Sequence, residues 1–321
     1  MMAAKGSAQG DSVHIAVERK DLARFQFLIQ TVRELKVKAL LEKEPTLDRK
    51  TIEIFSNLSG ASQMIIRGGI TRGVALEARA ATTKLIDNLM DSHVAIGTLS
   101  RMILVDSTLY DHSAAVAMLS GVISRNLMGY SKEDAESCAR GGLYHDVGKT
   151  CVPNAVLNKP GSFTPEEFEV MKTHATHGYE ELQKAIEAGA PIDHDVARVA
   201  YEHHEKFSGG GYPNGRKGRF EDDPASGIHR YARVVSVADV YSALLMKRVY
   251  KDAFTQEKAL EIMSKNAPND YDPMIWEPFE KSVSSSVEYF NTLNRSNYVG
   301  DGRILLLDQN KLRDITPKRA K

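Results

Sequence analysis

Apolar residues recur every three or four positions along most of this 321-residue chain, which is the spacing of amphipathic α-helices. Dense apolar stretches occupy residues 22–41 and 52–58, and Pro45 separates them. A later stripe places a histidine among core-type residues: Leu109, His112, Val116, Leu119 and Ile123. The pattern predicts an all-α fold that ends in a short strand at residues 303–308 and a basic tail.

Three helix starts are marked by residues that cap helices well. Ser131, Thr164 and Thr255 each precede a run with helical periodicity. The helix that begins after Ser131 is expected to end near Gly148. The pair His145-Asp146 would then lie at the C-terminal end of that helix.

Composition narrows the classes of protein to consider. Lys and Arg number 42 and Asp and Glu number 42, so the net charge of zero argues against a nucleic-acid polymer or an anionic membrane as partner. No apolar run reaches the length of a membrane span, and no secretory signal is evident. Cys138 and Cys151 lack a metal-binding spacing and are expected to be small buried hydrophobes. A cytoplasmic protein is the simplest expectation.

The density of functional residue types divides the chain into four segments. Residues 1–10 are small and polar, which predicts a disordered start. Residues 11–95 have the apolar spacing of a mostly helical module. They hold no group of catalytic residue types, which favours a role in regulation or dimerisation. Residues 96–290 carry the candidate chemistry, and residues 291–321 form a C-terminal extension.

The richest stretch is residues 203–213, where two adjacent histidines and a glutamate run into three glycines and a Tyr-Pro pair. Adjacent histidines let one segment supply two metal ligands, and glycines permit positive φ and the close approach of a ligand to the backbone. Together with residues elsewhere they form a candidate set of nitrogen and oxygen ligands: His112, His145, Asp146, His174, His203, His204 and Asp239.

Several of these candidates have plainer alternatives. A histidine on an apolar stripe, such as His112, is often a hydrogen-bonded core residue. Asp239 ends an apolar run, and its buried charge requires either a metal or an ion pair with an arginine such as Arg233. His177 is interpreted as a surface residue, and solvent-exposed or packing roles are expected for the isolated histidines His14, His93 and His194.

Seven ligands exceed the needs of one ion and suit two ions that share a carboxylate. Asp146 is the natural bridge, because it stands beside a histidine in the middle of the set. Two metals about 4 Å apart can hold a hydroxide and clamp a phosphate oxygen, so phosphoester hydrolysis is the expected chemistry. Lys149 would offset phosphate charge in the transition state. The ligand types suit iron, manganese, nickel or zinc.

These residues carry a family resemblance. His145-Asp146 with Gly148-Lys149 resembles the HD-domain phosphohydrolase motif, and the run from His203 to Pro213 resembles the HD-GYP family of cyclic di-GMP phosphodiesterases. The similarity extends from about residue 112 to residue 279. Further segments of the family occur in the same order: Lys159-Pro160-Gly161, 171–174, Val237-Ala238-Asp239 and Tyr271-Asp272-Pro273.

The resemblance implies an HD-domain helical bundle that hydrolyses cyclic di-GMP to the linear dinucleotide pGpG or on to GMP. By position, it implies one divalent ion held by His112, His145, Asp146 and Asp239, and a second held by Asp146, His174, His203 and His204. Iron is the favoured metal. Substrate contacts are implied for Lys149, Tyr212, Arg248 and Lys251. The Gly-Tyr-Pro loop is implied as a docking point for diguanylate cyclase (GGDEF) domains, and a homodimer is a further expectation.

Four residues at three places depart from the family pattern. Ser242 stands where an aspartate is usual, and its loss could weaken the orientation of a ligand. Thr108 replaces the glutamate of members with three metals, which favours two metals here. Phe207-Ser208 replaces a Trp-Asp pair. Ser242 keeps open the alternative of a catalytically weak cyclic-dinucleotide sensor or interaction module. A phosphodiesterase for another cyclic dinucleotide is the other alternative, because one sequence does not reveal base recognition.

Overall fold

The computed structural model describes residues 49–89, 92–105, 109–219, 227–246 and 253–296, with a few isolated positions before residue 49 and two short strands near the end. The described chain is all-α apart from those strands, as predicted. Its helices are α1 (Arg49–Gly68), α2 (Arg72–Ile86), α3 (Ser92–Val105), α4 (Leu109–Val122), α5 (Lys132–Tyr144), α6 (Asn154–Leu157), α7 (Pro165–Glu187), α8 (His194–Glu202), α9 (Arg230–Leu245), α10 (Gln256–Asp270) and α11 (Pro273–Ser296).

Helix α4 lies at the centre of the structure. Every side chain from residue 112 to residue 124 is buried, so this helix faces the core on all sides and not along a single stripe. Helices α1, α3, α5 and α9 pack around it. Small residues permit the close packing, since a β-carbon on Gly142 of α5 would lie 3.0 Å from the Ala117 backbone of α4. A polar side chain on α4, such as His112, therefore points into the interior of the protein.

The predicted helix caps are confirmed. The hydroxyls of Ser131 and Thr255 each accept a hydrogen bond from a backbone N–H three residues on, at 3.1 and 3.2 Å. Thr164 and Glu167 form a reciprocal capping box, in which the Glu167 N–H donates to Thr164 Oγ1 and the Thr164 N–H donates to Glu167 Oε2. Each cap satisfies backbone donors that the first helical turn leaves unpaired.

The helix that follows Ser131 ends earlier than predicted. Helix α5 stops at Tyr144, and a 3₁₀ turn, Val147–Cys151, replaces the expected continuation to Gly148. A β-carbon on Gly148 would lie 2.0 Å from the His174 carbonyl oxygen, so this turn presses its backbone directly against α7. The close contact brings the His145-Asp146 pair against the helix that carries His174.

The first two helices share the main hydrophobic core. The predicted apolar residues of α1 are buried there, among them Ile52, Phe55 and Leu58, and α1 packs against α2 and α4. The apolar stretch at residues 22–41 lies outside the described residues, apart from isolated positions. The regulatory role and the boundaries assigned to segment 11–95 stay predictions.

Two short strands follow the last helix of the described chain. Strand β1 (Tyr298–Val299) pairs antiparallel with β2 (Arg303–Ile304), and Tyr298 lies opposite Ile304. The predicted strand therefore begins at Arg303, while residues 305–308 lie outside the described residues. The partner strand β1 was not foreseen, because two residues are too few to show alternation.

Two predictions on composition have different outcomes. Cys138 is buried as expected, whereas Cys151 is exposed because it ends the 3₁₀ turn on the surface. Among the described helices, none combines the length and the apolar character needed to cross a bilayer.

Candidate metal centre

The predicted ligands meet in the interior although they come from separate helices. His112 lies in α4 and Asp239 in α9, while His174 lies midway along α7. The other ligands stand where helices end, because residues 145–146 follow α5 and residues 203–204 follow α8. Their nitrogen and oxygen atoms form two compact groups that each fit within 4.8 Å: His112, His145 and Asp239 in one, and Asp146, His174, His203 and His204 in the other.

The carboxylate of Asp146 lies between the two groups. Its Oδ2 atom is 3.1 Å from His145 Nε2 and 3.8 Å from His112 Nε2. Its Oδ1 atom is 3.5 Å from His174 Nε2 and 3.9 Å from His203 Nε2. One oxygen thus faces each group, which is the arrangement expected of a bridging ligand.

The histidine rings are oriented with Nε2 toward the cavity. Nδ1 lies 2.7 Å from the Gly142 carbonyl in His145 and 2.6 Å from the Met171 carbonyl in His174. In His203, Nδ1 lies 3.1 Å from the carbonyl oxygen of residue 200. A carbonyl oxygen only accepts, so Nδ1 carries a hydrogen, and in the neutral form of each ring the Nε2 lone pair points inward. Metal-ligating histidines are commonly held in this way.

A metal pair fits the polar atoms of this cavity. Within the described structure, His145 Nε2 and Asp146 Oδ1 are buried and have no hydrogen-bond partner. His174 Nε2 and His203 Nε2 lie 3.5 Å apart, so two lone pairs face each other when both rings are neutral. Leaving such atoms unpaired in the interior is costly, and a cation between them removes the cost.

Burial and charge set the ionisation of the site. Burial lowers the pKa of His203 well below its usual range and that of His204 to about 3, so both rings stay neutral. Burial raises the pKa of Asp146, but the charges of His145 and Lys149 outweigh it and hold the pKa well below normal. Burial lowers the pKa of His145, but the Asp146 carboxylate outweighs it and raises that pKa, so metal binding would release a proton from His145. Burial opposes ionisation of Asp239 too, and its contact with His112 keeps the pKa low. Neutral imidazoles and ionised carboxylates are the forms that bind metals.

The alternative ion pair for Asp239 is wrong. Asp239 Oδ1 lies 3.0 Å from His112 Nε2. Arg233 turns the other way, where its Nη1 donates to Asp272 Oδ2 at 2.6 Å. His112 is buried, yet its Nε2 faces both Asp239 and Asp146, so it is more than a core residue with a single partner.

The remaining histidines divide between prediction and exception. His194 is exposed at the start of α8, as expected. His177 is half-buried, which differs from the surface position expected, because it lies one turn from His174 on the inward side of α7. The side chains of His14 and His93 lie outside the described residues. Sequence reasoning overlooked His229, whose Nδ1 accepts from the Tyr231 N–H and caps α9.

Two predicted substrate contacts lie beside the candidate ligands. Lys149 Nζ donates to Asp146 Oδ2 at 2.6 Å and is partly exposed. The Tyr212 ring lies on His204, with centroids 4.7 Å apart. Arg248 and Lys251, the other two predicted contacts, lie outside the described residues, as does Thr108.

The glycine-rich loop is shaped by its own backbone. Gly209 and Gly210 have positive φ angles of 96° and 82°, as the glycine run predicts. The glycines were expected to let a ligand approach the backbone closely. At Gly211, however, a β-carbon would lie 2.5 Å from the His204 carbonyl oxygen, so the group that approaches Gly211 is the protein's own backbone. Glu205 Oε1 accepts from the Asn214 N–H at 2.7 Å and ties the far end of the loop to the histidine pair.

Comparison with known proteins places these features in a family. A family model of the HD domain matches residues 98–275, which is more than half of the chain. The chain belongs to the HD-domain family. The His-His and Gly-Tyr-Pro run within it keeps the resemblance to the HD-GYP group of that family.

Two curated relatives and one solved structure are similar to this HD-domain protein. A cyclic di-GMP phosphodiesterase of Thermotoga maritima is 36% identical over 176 residues, which cover 55% of this chain and 45% of that protein. The 3'3'-cGAMP-specific phosphodiesterase 3 of Vibrio cholerae is 33% identical over 186 residues, which cover 58% of this chain and 38% of that protein. The chain therefore spans less than half the length of these relatives.

The structural comparison concerns the fold alone. An HDG"Y"P protein from Bdellovibrio bacteriovorus superposes with a TM-score of 0.61 at 16% sequence identity, and the match covers 83% of this chain and 81% of that one. The shared fold supports the helical bundle described above.

Proposed function

We propose that this HD-domain protein is a phosphodiesterase that uses two divalent ions to hydrolyse cyclic di-GMP to pGpG, to GMP or to both. One observation carries the proposal: the two oxygens of Asp146 face two separate ligand groups. A carboxylate shared in this way is the signature of a two-metal site. The names of the relatives support a phosphodiester of a cyclic dinucleotide as the substrate.

The residues divide between the two ions as the family resemblance implies. His112, His145, Asp146 and Asp239 would hold one ion, and Asp146, His174, His203 and His204 would hold the other. When bound, such ions lower the pKa of water and offset charge on a phosphate. Iron is the metal that we favour from the family resemblance. Manganese, nickel and zinc are alternatives, because imidazole and carboxylate ligands suit all four metals.

Besides the metal ions, the chain itself supplies a positive charge at the candidate site. Lys149 lies against Asp146 and its side chain is about one-third exposed, with a relative accessibility of 35%. An incoming phosphate can therefore reach its ammonium group from solvent. Tyr212 lies against His204, and burial raises the pKa of its hydroxyl, so it stays a hydrogen-bond donor at neutral pH. Lys149 would bind a phosphate oxygen and stabilise its growing charge.

The identity of the bases is the open part of this proposal. One relative is named for cyclic di-GMP and another for 3'3'-cGAMP. Both relatives are longer than this chain. We favour cyclic di-GMP and keep hydrolysis of another cyclic dinucleotide as the alternative. Docking of a GGDEF domain on the Gly-Tyr-Pro loop, a homodimer and a cytoplasmic location stay predictions.

A weak sensor is the second candidate, and Ser242 is the residue that favours it. A hydroxyl holds a ligand histidine less firmly than a carboxylate does, which would lower turnover without removing the site. The sensor model expects bound but uncleaved nucleotide. The enzyme model expects product.

The deciding experiment is a turnover assay with cyclic di-GMP on anaerobically purified protein, with the metal content measured on the same sample. Parallel reactions with 3'3'-cGAMP report base selectivity, and chromatography separates pGpG from GMP. Linear product with about two metals per chain supports the proposal. Full metal occupancy with tightly bound, uncleaved cyclic di-GMP would favour the sensor. No binding and no turnover of either nucleotide would refute both.

A further inference from the structure

An aromatic path leads from the metal centre to solvent. The Tyr212 ring lies on His204 at 4.7 Å, and the Phe168 ring meets Tyr212 edge to face at 6.1 Å, with an interplanar angle of 86°. Phe168 is 44% exposed and is the most exposed phenylalanine in the described part of the chain. Met171, three residues further along the same helix, is buried.

A cation accompanies the two rings. Lys172 Nζ lies 5.4 Å from the centroid of Phe168 and 5.9 Å from that of Tyr212, within the range of a cation–π contact. Lys172 follows Phe168 by one helical turn on α7, so both side chains project from the same face. Its partner Glu169 is 70% exposed, which makes that ion pair weak and easily exchanged for another acceptor.

The rings and the cation are held in place by the fold. The capping box at Thr164 and Glu167 fixes the first turn of α7, from which Phe168 projects. The Tyr212 N–H donates to the His204 carbonyl oxygen at 3.2 Å, which positions the other ring. An exposed aromatic side chain that is already oriented loses little conformational freedom when a flat ligand stacks on it.

We propose that the exposed ring of Phe168 stacks on a purine base of the nucleotide whose phosphate lies at the metal centre. Tyr212, perpendicular to Phe168, and Lys172 flank that base, and the three residues together form a base-binding platform. The inference rests on the proposed function and deepens it, since it names residues that recognise the base. An aromatic ring offers a π-face to any base. The lysine adds selectivity, because guanine presents two acceptors, N7 and O6, where adenine presents N7 beside an N6 donor. The platform therefore favours guanine.

The test uses the full chain loaded with Mn²⁺ and compares two probes by calorimetry. 5′-GMP carries the base, and ribose 5-phosphate carries the same phosphate without it. Wild type should bind GMP more tightly than ribose 5-phosphate. Phe168→Ala and Phe168→Leu should weaken GMP binding by about 5- to 100-fold and leave ribose 5-phosphate binding unchanged, whereas Phe168→Tyr should retain wild-type affinity.

Kinetics and a matched control complete the design. The Phe168→Ala variant should raise KM for cyclic di-GMP by a similar factor and change kcat much less. Lys172→Met should reduce the preference for GMP over AMP. Val170 is 37% exposed on the same helix and is not part of the platform, so Val170→Ala should behave as wild type in every assay. Metal content and melting temperature should be equal in all variants.

The outcomes separate this inference from the proposed function. If wild type hydrolyses cyclic di-GMP but the Phe168 variants match Val170→Ala, the platform is wrong and the phosphodiesterase stands. An equal loss of affinity for both probes would also overturn the platform. Wild type could instead fail to hydrolyse cyclic di-GMP and still bind GMP more tightly than ribose 5-phosphate in a way that depends on Phe168. In that case the platform stands and the phosphodiesterase does not. A wild type that binds GMP no better than ribose 5-phosphate refutes the platform directly.

Discussion

Ser242 Oγ lies 3.2 Å from His112 Nδ1, so a buried hydroxyl from α9 holds a candidate ligand on α4. When His112 Nε2 binds a metal, Nδ1 carries the hydrogen of the ring. The Ser242 hydroxyl can then direct its own proton toward Met246 Sδ at 4.0 Å, which leaves its oxygen free to accept from His112 Nδ1–H. His145, His174 and His203 instead donate to backbone carbonyls of their own helices. His112 is thus the ring whose orientation depends on a side chain.

Removing this hydroxyl should weaken metal binding. We expect Ser242→Ala to lower the affinity of one of two ions by about tenfold, because His112 loses the partner that fixes its ring and tautomer. Titration of the metal-free protein with Mn²⁺, followed by calorimetry, measures the change. Ser242→Thr keeps the hydroxyl and serves as the control. Equal affinities in wild type and Ser242→Ala would show that the contact does not orient the ligand.

Loss of the shared carboxylate should affect both ions. Asp146→Asn keeps the size of the side chain but removes the charge, so metal content should fall from about two to less than one per chain, and turnover should disappear. Elemental analysis and the cyclic di-GMP assay on one sample report both quantities. Glu181→Gln, on the exposed face of α7, is the matched control. An Asp146→Asn protein with full occupancy and activity would show that Asp146 is not the bridge.

Lys149 should act on the substrate and not on the metals. We expect Lys149→Met to leave metal content unchanged and to reduce kcat/KM by about 100-fold, because a developing phosphate charge loses its cation. Lys184→Met on exposed α7 removes an equal charge away from the cavity and should have no effect. If Lys149→Met loses the metals, the lysine supports the centre itself.

The sequence predicted which residues would meet but not how they are held. Spacing and residue type were enough to bring His112, Asp146 and Asp239 into one candidate set, and the structure places them together. Their assignment as ligands stays a prediction. The contact from Ser242 to His112 joins residues 130 positions apart, so no local pattern could reveal it. The exposure of Phe168 likewise depends on tertiary packing, because the same periodicity describes a buried aromatic residue.

The backbone contact at Gly148 should be sensitive to one added methyl group. A β-carbon there would meet the His174 carbonyl at 2.0 Å and the Gly178 nitrogen at 2.4 Å, and neither backbone can yield easily. We expect Gly148→Ala to cost about 3 kcal/mol in the free energy of unfolding and to displace His174. Denaturant unfolding measures the loss. Gly73→Ala, where an added β-carbon has its nearest neighbour at 3.9 Å, should be neutral or slightly stabilising.

His229 should make the fold less stable in mild acid. Burial lowers the pKa of His229 to about 4, and its neutral Nδ1 accepts from the Tyr231 N–H at the start of α9. The unfolded chain protonates this histidine near its ordinary pKa of about 6.5, whereas the folded chain resists until about pH 4. The native state therefore keeps its full stability above pH 6.5 and loses it progressively as the pH falls toward 4. The expected loss between pH 7 and pH 5 is about 2 kcal/mol.

Replacing His229 isolates this contribution from those of other groups. Asn is a good helix cap without a titratable ring, so His229→Asn should unfold with a smaller difference in free energy between pH 7 and pH 5 than wild type does. Exposed His194 provides the control, because His194→Asn should retain the wild-type pH dependence. Urea unfolding of all three proteins at both pH values, each without added metal, gives the comparison. Identical pH dependence in wild type and His229→Asn would mean that the acid sensitivity arises elsewhere in the chain.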